Sequence, residues 1–199
     1  MAATAQRSPD RILNKALELF SSRGYEATSV REICEAAGIT KPTLYHFYGS
    51  KEGVYRALVD GTLDAFQQDL ARDLDAPGLD AVERLRRVAR GYFENARRNR
   101  ELMRFILGLV HNPSTTAPRT DFPRFYEEIV GQIAQCVDAG VAAGQFTPGP
   151  TEVRLLVFMG ALGESLCGNV IVGRPELSPE LADALVETVI AGWRPAPLV

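Results

Sequence analysis

Residues 40–54, TKPTLYHFYGSKEGV, hold five hydroxyl-bearing side chains, one of the chain's two histidines and two of its three lysines. Such a cluster offers hydrogen bonds and positive charge, the chemistry of gripping phosphates and reading base edges. Bond-breaking chemistry finds less support. His46 and His111 are the only histidines, and neither stands at metal-ligand spacing from a cysteine or carboxylate cluster, so no metal and no cofactor is expected. Residues 163–167, GESLC, come near the GxSxG nucleophile elbow. Cys167 replaces the second glycine and no strand pattern precedes it. A Cys or Ser hydrolase is the enzymatic alternative, and the expectation is a protein that is not an enzyme.

The elements that must position this cluster read as helices. Apolar residues recur at helical rather than alternating spacing almost throughout, which predicts an all-α fold of about nine helices. The first spans 9–23, with Ile12, Leu13, Ala16, Leu17 and Phe20 on one stripe and Gly24 at its end. Ser29 stands three residues before Glu32 in a capping-box pattern that opens a short helix to 37. Gly38 and Ile39 turn the chain. Thr40 is placed to cap a third helix of two turns that ends at Gly49, and Ser50 a fourth that runs to 74. Further helices are predicted over 80–98, 101–111, 122–143, 151–172 and 178–193. The polar, proline-bearing run 112–121 is expected to be a mobile loop.

Two short helices joined by a glycine-bearing turn have the proportions of a helix-turn-helix. At about 100° per residue from Lys41, Leu44, Phe47 and Tyr48 share one predicted inward face, opposite Pro42 and His46 and flanked by Thr43 and Tyr45. Lys41 and Lys51 each fall in a helix's first turn, where the macrodipole opposes a cation by about 0.3 to 1 kcal/mol unless an anion is bound there. Thr28, Ser29 and Thr40 place hydroxyls at helix starts, and Arg31 lies on the outer face of the second helix. The competing reading is an ordinary solvated face.

Composition limits the partner. The net charge of −3 and pI near 5.5 exclude broad electrostatic binding of nucleic acid and leave room for a local contact. The sign shifts along the chain, from +1 over residues 1–55 to −4 over the rest. Cys34, Cys136 and Cys167 form no CxxC pair, which fits a reduced intracellular protein. The N-terminal MAATAQRSPDR lacks the apolar core of a secretory signal, and a cytoplasmic location is expected. Residues 155–173 carry one charge, Glu164, over nineteen positions. That carboxylate would cost about 2.5 kcal/mol or more in lipid, so a buried helix is expected and no membrane partner.

The pattern TSVREICEAAGITKPTLYHFYGSKEGVYRAL, residues 28–58, after a first helix ending LFSSRGYEAT, resembles the DNA-binding domain of the TetR family of bacterial transcriptional regulators. The resemblance covers about fifty residues, with Gly24, Gly38, Tyr45, Phe47 and Lys51 in place; the rest of the chain shares only helix count and order. It implies a homodimeric repressor that binds a pseudo-palindromic double-stranded operator and a small-molecule effector. Residues 1–50 would be the DNA-binding domain and residues 51–199 the ligand-binding and dimerisation domain. Carried over by position, it implies Thr43, Tyr45 and His46 as groove-facing and Ser29, Thr40, Tyr48 and Lys51 as phosphate contacts, with Lys41 and His46 tuning operator choice.

A single helix-turn-helix makes few contacts, so a second copy is needed. The last helix has an apolar arc from Leu181 to Trp193 with Asp183 and Glu187 on its other face, and the preceding one is apolar nearly all round with Gly160, Gly163 and Gly168. These last two helices are the expected homodimer surface; a monomer core is the alternative. Phe66, Tyr92, Met103, Leu107, Phe125, Tyr126 and Phe158 are candidate pocket lining, with Phe93, Phe105 and Met159 as further candidates and His111 and Glu164 as polar anchors. Glu164 could instead pair with Arg154. The function expected is a repressor released by a small, largely hydrophobic effector through the helix at 50–74. The alternative is an effector-free or protein-partner-controlled regulator. A thiol sensor at Cys34 is disfavoured, since its helical phase is inward.

Overall fold

A computed structural model describes residues 8–111, 117–119 and 121–195, which form nine α-helices and no strand. They are α1 (Ser8–Arg23), α2 (Val30–Ala37), α3 (Lys41–Tyr48), α4 (Lys51–Leu74), α5 (Ala81–Arg98), α6 (Arg100–His111), α7 (Phe122–Ala142), α8 (Thr151–Val172) and α9 (Pro179–Ala191). The fold is all-α, as read. The expected loop at 112–121 lies largely outside the described residues, as does the side chain of His111.

The chain divides into two compact units, Met1–Asp64 with Glu101–Thr120 and Ala65–Arg100 with Asp121–Val199. This grouping differs from a cut at residue 50, because the first unit needs side chains from later helices to fill its core. Ile12, Ala16 and Phe20 of α1, Ile33 and Ala37 of α2 and Leu44 of α3 close on Val54, Tyr55 and Val59 of α4 and on Phe105 of α6. Tyr55 meets Phe20, Tyr25 and Phe105 edge-on at centroid separations of 5.5, 5.0 and 5.7 Å. Each buried aliphatic or aromatic side chain contributes about 1.5 to 3 kcal/mol of transfer free energy. Cys34 is buried in this core, and desolvation pushes its thiol pKa up, which deprives a thiol sensor of its thiolate.

In the second unit α5 packs against α7, α8 and α9. Leu85, Ala89 and Phe93 of α5, Ile133 and Val137 of α7, Phe158 and Leu162 of α8 and Val186 and Ile190 of α9 are buried. Asp183 and Glu187 do not form the outer face of α9. They turn toward α5, where Arg90 grips Asp183 through two hydrogen bonds of 2.6 Å and Arg86 binds Glu187. Arg194 adds a contact to Glu187 at 2.9 Å. The two acids are four apart on α9 and the two arginines four apart on α5, so both pairs fall in register between facing helices.

Helix α8 departs from the expected all-round burial. It is long and apolar enough to cross a membrane by length and composition, yet only 22% of its most apolar window is buried. Val153, Leu156, Val157 and Ile171 are exposed, Leu156 at 69% and Ile171 at 72%. Glu164 is exposed on the same helix rather than partly buried, being seven and eleven residues on from Val157 and Val153, and it has no ion pair with Arg154. Arg154 is itself buried. One of its terminal nitrogens donates to the Thr147 carbonyl at 2.7 Å, and its guanidinium lies 5.4 Å from the centre of the Trp193 ring.

The paired acids of α9 set an acid sensitivity. The Arg90 hydrogen bond holds Asp183 below its ordinary pKa, and the Arg86 hydrogen bond does the same for Glu187. A depressed folded-state pKa means stability present above the unfolded carboxylate range, about pH 4, and lost as pH falls through the folded values. Both groups are part-exposed and screened, so each pair is worth about 0.2 to 1 kcal/mol. Asp183→Asn should lower unfolding stability by that amount at pH 7 in urea titrations. The gap between the two proteins should narrow as pH falls below the ordinary carboxylate range; a gap that does not narrow at all with falling pH assigns the loss to packing.

Candidate nucleic-acid interface

The helix-turn-helix is assembled from local hydrogen bonds. Ser29 caps α2 by accepting from the Glu32 amide at 3.2 Å, and the Glu32 carboxylate accepts from the Ser29 amide at 2.8 Å and its hydroxyl at 2.7 Å. Those bonds hold Glu32 below the usual carboxylate range. At the other end Gly38 adopts φ 60°, ψ 42°, letting its amide reach Glu35 O and the Ile39 amide reach Cys34 O at 3.0 Å. A side chain in this left-handed region would cost about 1 kcal/mol or more.

Helix α3 has only two turns and one fully buried side chain, Leu44 at 0% exposure. Thr40 occupies its N-cap without making a side-chain cap; its hydroxyl pairs instead with that of Thr43 at 2.9 Å. Pro42 in the first turn removes one unsatisfied amide, and the amides beside it remain uncapped at the positive end of the dipole. Lys41, Pro42, Tyr45 and His46 are exposed, Tyr45 at 47%, and Thr43 is half-buried. The predicted outward face is therefore accessible.

Phe47 is the correction on this helix. Helical phase predicts it inward with Leu44 and Tyr48, but it is 43% exposed and stacks edge-on against His46 at 5.2 Å. A two-turn helix against a small core has room inside for about one stripe, and Leu44 with Tyr48 fills it. The result is a larger apolar component on the outer surface than the hydroxyl pattern suggested.

Several of the expected phosphate-binding groups already have partners. Thr28 is 1% exposed and donates to the Gly24 carbonyl at 2.8 Å, so it closes the α1–α2 turn and reaches no ligand. Tyr48 donates its one phenolic proton to Pro9 O at 3.1 Å, and its burial raises its pKa. The hydroxyl of Ser29 donates to Glu32. Lys51 donates to Tyr25 O at 2.9 Å with its ammonium 4.1 Å from the Tyr25 ring centre. Its unfavourable place in the first turn of α4 is thus compensated inside the protein, although two of its three N–H donors remain. Arg31 is exposed, with only a loose 3.8 Å contact to Glu35.

The candidate ligand residues are divided between the two units. Phe66 meets Tyr92 and Phe125 at 5.9 Å each in the second unit, and desolvation pushes Tyr92 up to about 12. Phe158 is buried core, while Tyr126 and Glu164 are exposed. Met103, buried, and Leu107, half-buried, belong to α6 in the first unit. None of these residues lines either of two cavities found in the second unit.

An all-helical chain whose N-terminal unit presents a capped two-helix motif with an open polar face is a helix-turn-helix protein. Residues 12–58 match the family model described as "Bacterial regulatory proteins, tetR family". The matched segment runs from α1 into the start of α4 and so takes in the whole helix-turn-helix. It is 47% identical over 57 residues to the HTH-type transcriptional repressor ComR of Escherichia coli K12, covering 29% of this chain and 27% of that protein. It is 44% identical over 73 residues to the HTH-type transcriptional repressor KstR2 of Rhodococcus jostii, covering 35% and 34%. The matched segment thus spans about a third of these relatives' length. The fold agrees over nearly the whole chain with the ketosteroid transcriptional regulator KstR2 of Mycobacterium tuberculosis, at TM-score 0.75 and 20% identity over 98% of this chain and 99% of that one. It also agrees with the transcriptional regulator FadR of Bacillus subtilis in complex with stearoyl-CoA, at 0.73 and 18% over 92% and 98%.

The α3–α4 junction generates a test. A Cβ on Gly53 would overlap the Tyr48 carbonyl oxygen, a backbone atom that cannot swing aside. Gly53→Ala should therefore lower stability by about 1 to 3 kcal/mol in chemical denaturation, whereas Gly61→Ala, in the interior of the same helix where a Cβ meets open space, should raise it by about 0.5 to 1 kcal/mol. Equal effects at the two glycines would show that α3 is not seated on α4 as described.

Proposed function

We propose that this protein is a homodimeric transcriptional regulator that represses from a pseudo-palindromic operator and is released by a small, largely hydrophobic effector. The observation that carries the reading is the outer face of α3: Lys41, Tyr45, His46 and Phe47 exposed around an uncapped helix N-terminus, with Leu44 holding the helix from behind. Donors and a positive dipole suit phosphates, while the imidazole, the phenol and the Phe47 ring suit base edges and thymine methyls. Arg31, Thr40, Thr43 and Lys51 complete the contact set; Thr28, Ser29 and Tyr48 serve it by shaping the frame. The relatives named as repressors support regulation rather than catalysis, and a cytoplasmic location with it.

Residues 1–50 are assigned to DNA and 51–199 to effector and dimer contacts. The exposed stripe Val153, Leu156, Val157 and Ile171 on α8, with open space over Gly160 and Gly163, supports pairing with a second copy through α8 and α9. Two copies then present two recognition helices about one DNA turn apart, ~34 Å. Exposed Glu164 beside that stripe opposes a bilayer there. The KstR2 and FadR structures, named for ketosteroid and solved with stearoyl-CoA, favour an apolar effector. Helix α4 begins beside α3 and ends in the second unit, so an effector that prefers one position of α4 would shift operator affinity, typically by about 1 to 3 kcal/mol of coupling. Phe66, Tyr92 and Phe125, candidates for the lining of an effector pocket, pack on one another, which favours as second reading a regulator without an effector.

Footprinting on DNA adjoining the protein's own gene, repeated with Tyr45→Ala and Lys41→Ala, tests the assignment. Tyr45→Ala should weaken operator binding about tenfold or more, and Lys41→Ala should reduce the salt slope by about one. Undiminished binding by Tyr45→Ala sinks the reading. Thermal-shift titration with fatty acyl and steroid ligands separates the effector-bound from the effector-free account, since saturating ligand raises Tm.

A further inference from the structure

The first half of helix α5 carries arginines at 84, 86, 87 and 90, and they are not treated alike. Arg86 pairs with Glu83 and Glu187, Arg87 with Asp73 and Arg90 with Asp183. Arg84 pairs with no carboxylate among the described residues, and its Nε is buried without a hydrogen-bond partner. An orphaned guanidinium nitrogen carries an uncompensated desolvation cost, one that is offset when something else supplies the acceptor.

Arg84 also stands between two adjoining cavities of the second unit, about 330 and 160 Å3 in volume, and lines both. In the smaller one the other polar groups are in use. Asp80 accepts from the Glu83 amide at 2.8 Å, Gln145 from the Ala81 amide at 3.0 Å, and the Cys136 thiol, pushed up to about 11 by burial, donates to Ala81 O at 3.8 Å. In the larger one Gln132, Gln135 and Asp75 line the wall with no side-chain hydrogen bond to any described residue. Two amides, a carboxylate and an unpaired guanidinium thus converge on space large enough for a small metabolite, at the low end of ligand-pocket volumes, about 300 Å3 and up.

We propose that this end of the second unit, between the last turn of α4, the start of α5 and the middle of α7, is a binding site for a small amino or hydroxy carboxylate anchored on Arg84. The guanidinium takes the carboxylate in a paired hydrogen bond. Gln132 and Gln135 supply donors and acceptors, and Asp75 answers an ammonium or hydroxyl on the same ligand. The site is polar and shares none of the aromatic residues considered for the apolar effector, so it does not depend on the operator or effector readings.

Calorimetric titration of the full chain without DNA tests it, using the proteinogenic amino acids, L-malate and succinate as probes, with inorganic phosphate as the comparison anion. At least one amino or hydroxy acid should bind saturably, and Arg84→Gln should weaken it at least tenfold. Gln135→Ala, at an exposed position, should weaken it about threefold and provides the comparison should Arg84→Gln fail to fold. No saturable binding by any probe, binding of phosphate alone, or affinity unchanged in the folded variants overturns the proposal.

Discussion

The seating of α3 depends on a single buried side chain. A helix of eight residues is not stable alone, because nucleation costs more than two turns of hydrogen bonds return. Leu44 enters the core formed by Ile12, Ala16, Phe20 and Ile33, and everything else about the helix follows from how little of it is used for packing. Five of its eight residues are exposed. A longer or more amphipathic helix would gain stability and lose the face available to a partner. The close approach of the Tyr48 carbonyl to Gly53 fixes the orientation that Leu44 alone would leave free to pivot.

Around that helix the polar groups divide into those that build and those left over. Thr28, Ser29, Tyr48 and Lys51 are bonded to Gly24, Glu32, Pro9 and Tyr25; the first two bonds close the α1–α2 turn and the α2 cap, and the last two tie α3 to α1 and α4 to the α1–α2 turn. Lys41, Thr40, Tyr45 and His46 have no such duty. A recognition surface must be held within a fraction of an ångström to discriminate one base from another, and rigidity of this kind comes from the bonded set rather than from the free one. The same residue types in the same fifteen positions serve both ends.

How much of this could be read beforehand follows from where each signal resides. Helix ends were legible because their causes are local: the Ser29–Glu32 capping box and Gly38 are bracketed by residues that can do little else. The outward set on α3 was legible from phase. Phe47 was not, since periodicity assigns an aromatic to the interior without knowing that the core is already filled. Thr28 was missed for a related reason, as its hydroxyl turns back to a carbonyl four residues earlier and the pattern shows only a threonine before a cap. Glu164 and the acids of α9 depended on which neighbour each helix has, and single-helix periodicity holds no record of that.

Helix α5 shows how such tertiary information organises the second unit. Its apolar stripe, Leu85, Ala89 and Phe93, is ordinary core, but the arginines flanking it act as alignment marks. Arg86 and Arg90, one turn apart, can meet Glu187 and Asp183 together only if α9 runs against α5 in one register; a slip of one turn would leave one arginine and one acid unpaired. Exposed pairs add little to stability individually, so their effect is mainly to make the correct register better than its neighbours. Arg84 lies outside this scheme. It neither aligns a helix nor reaches a carboxylate, and a buried guanidinium nitrogen with no structural task is where a requirement other than folding is most plainly expressed.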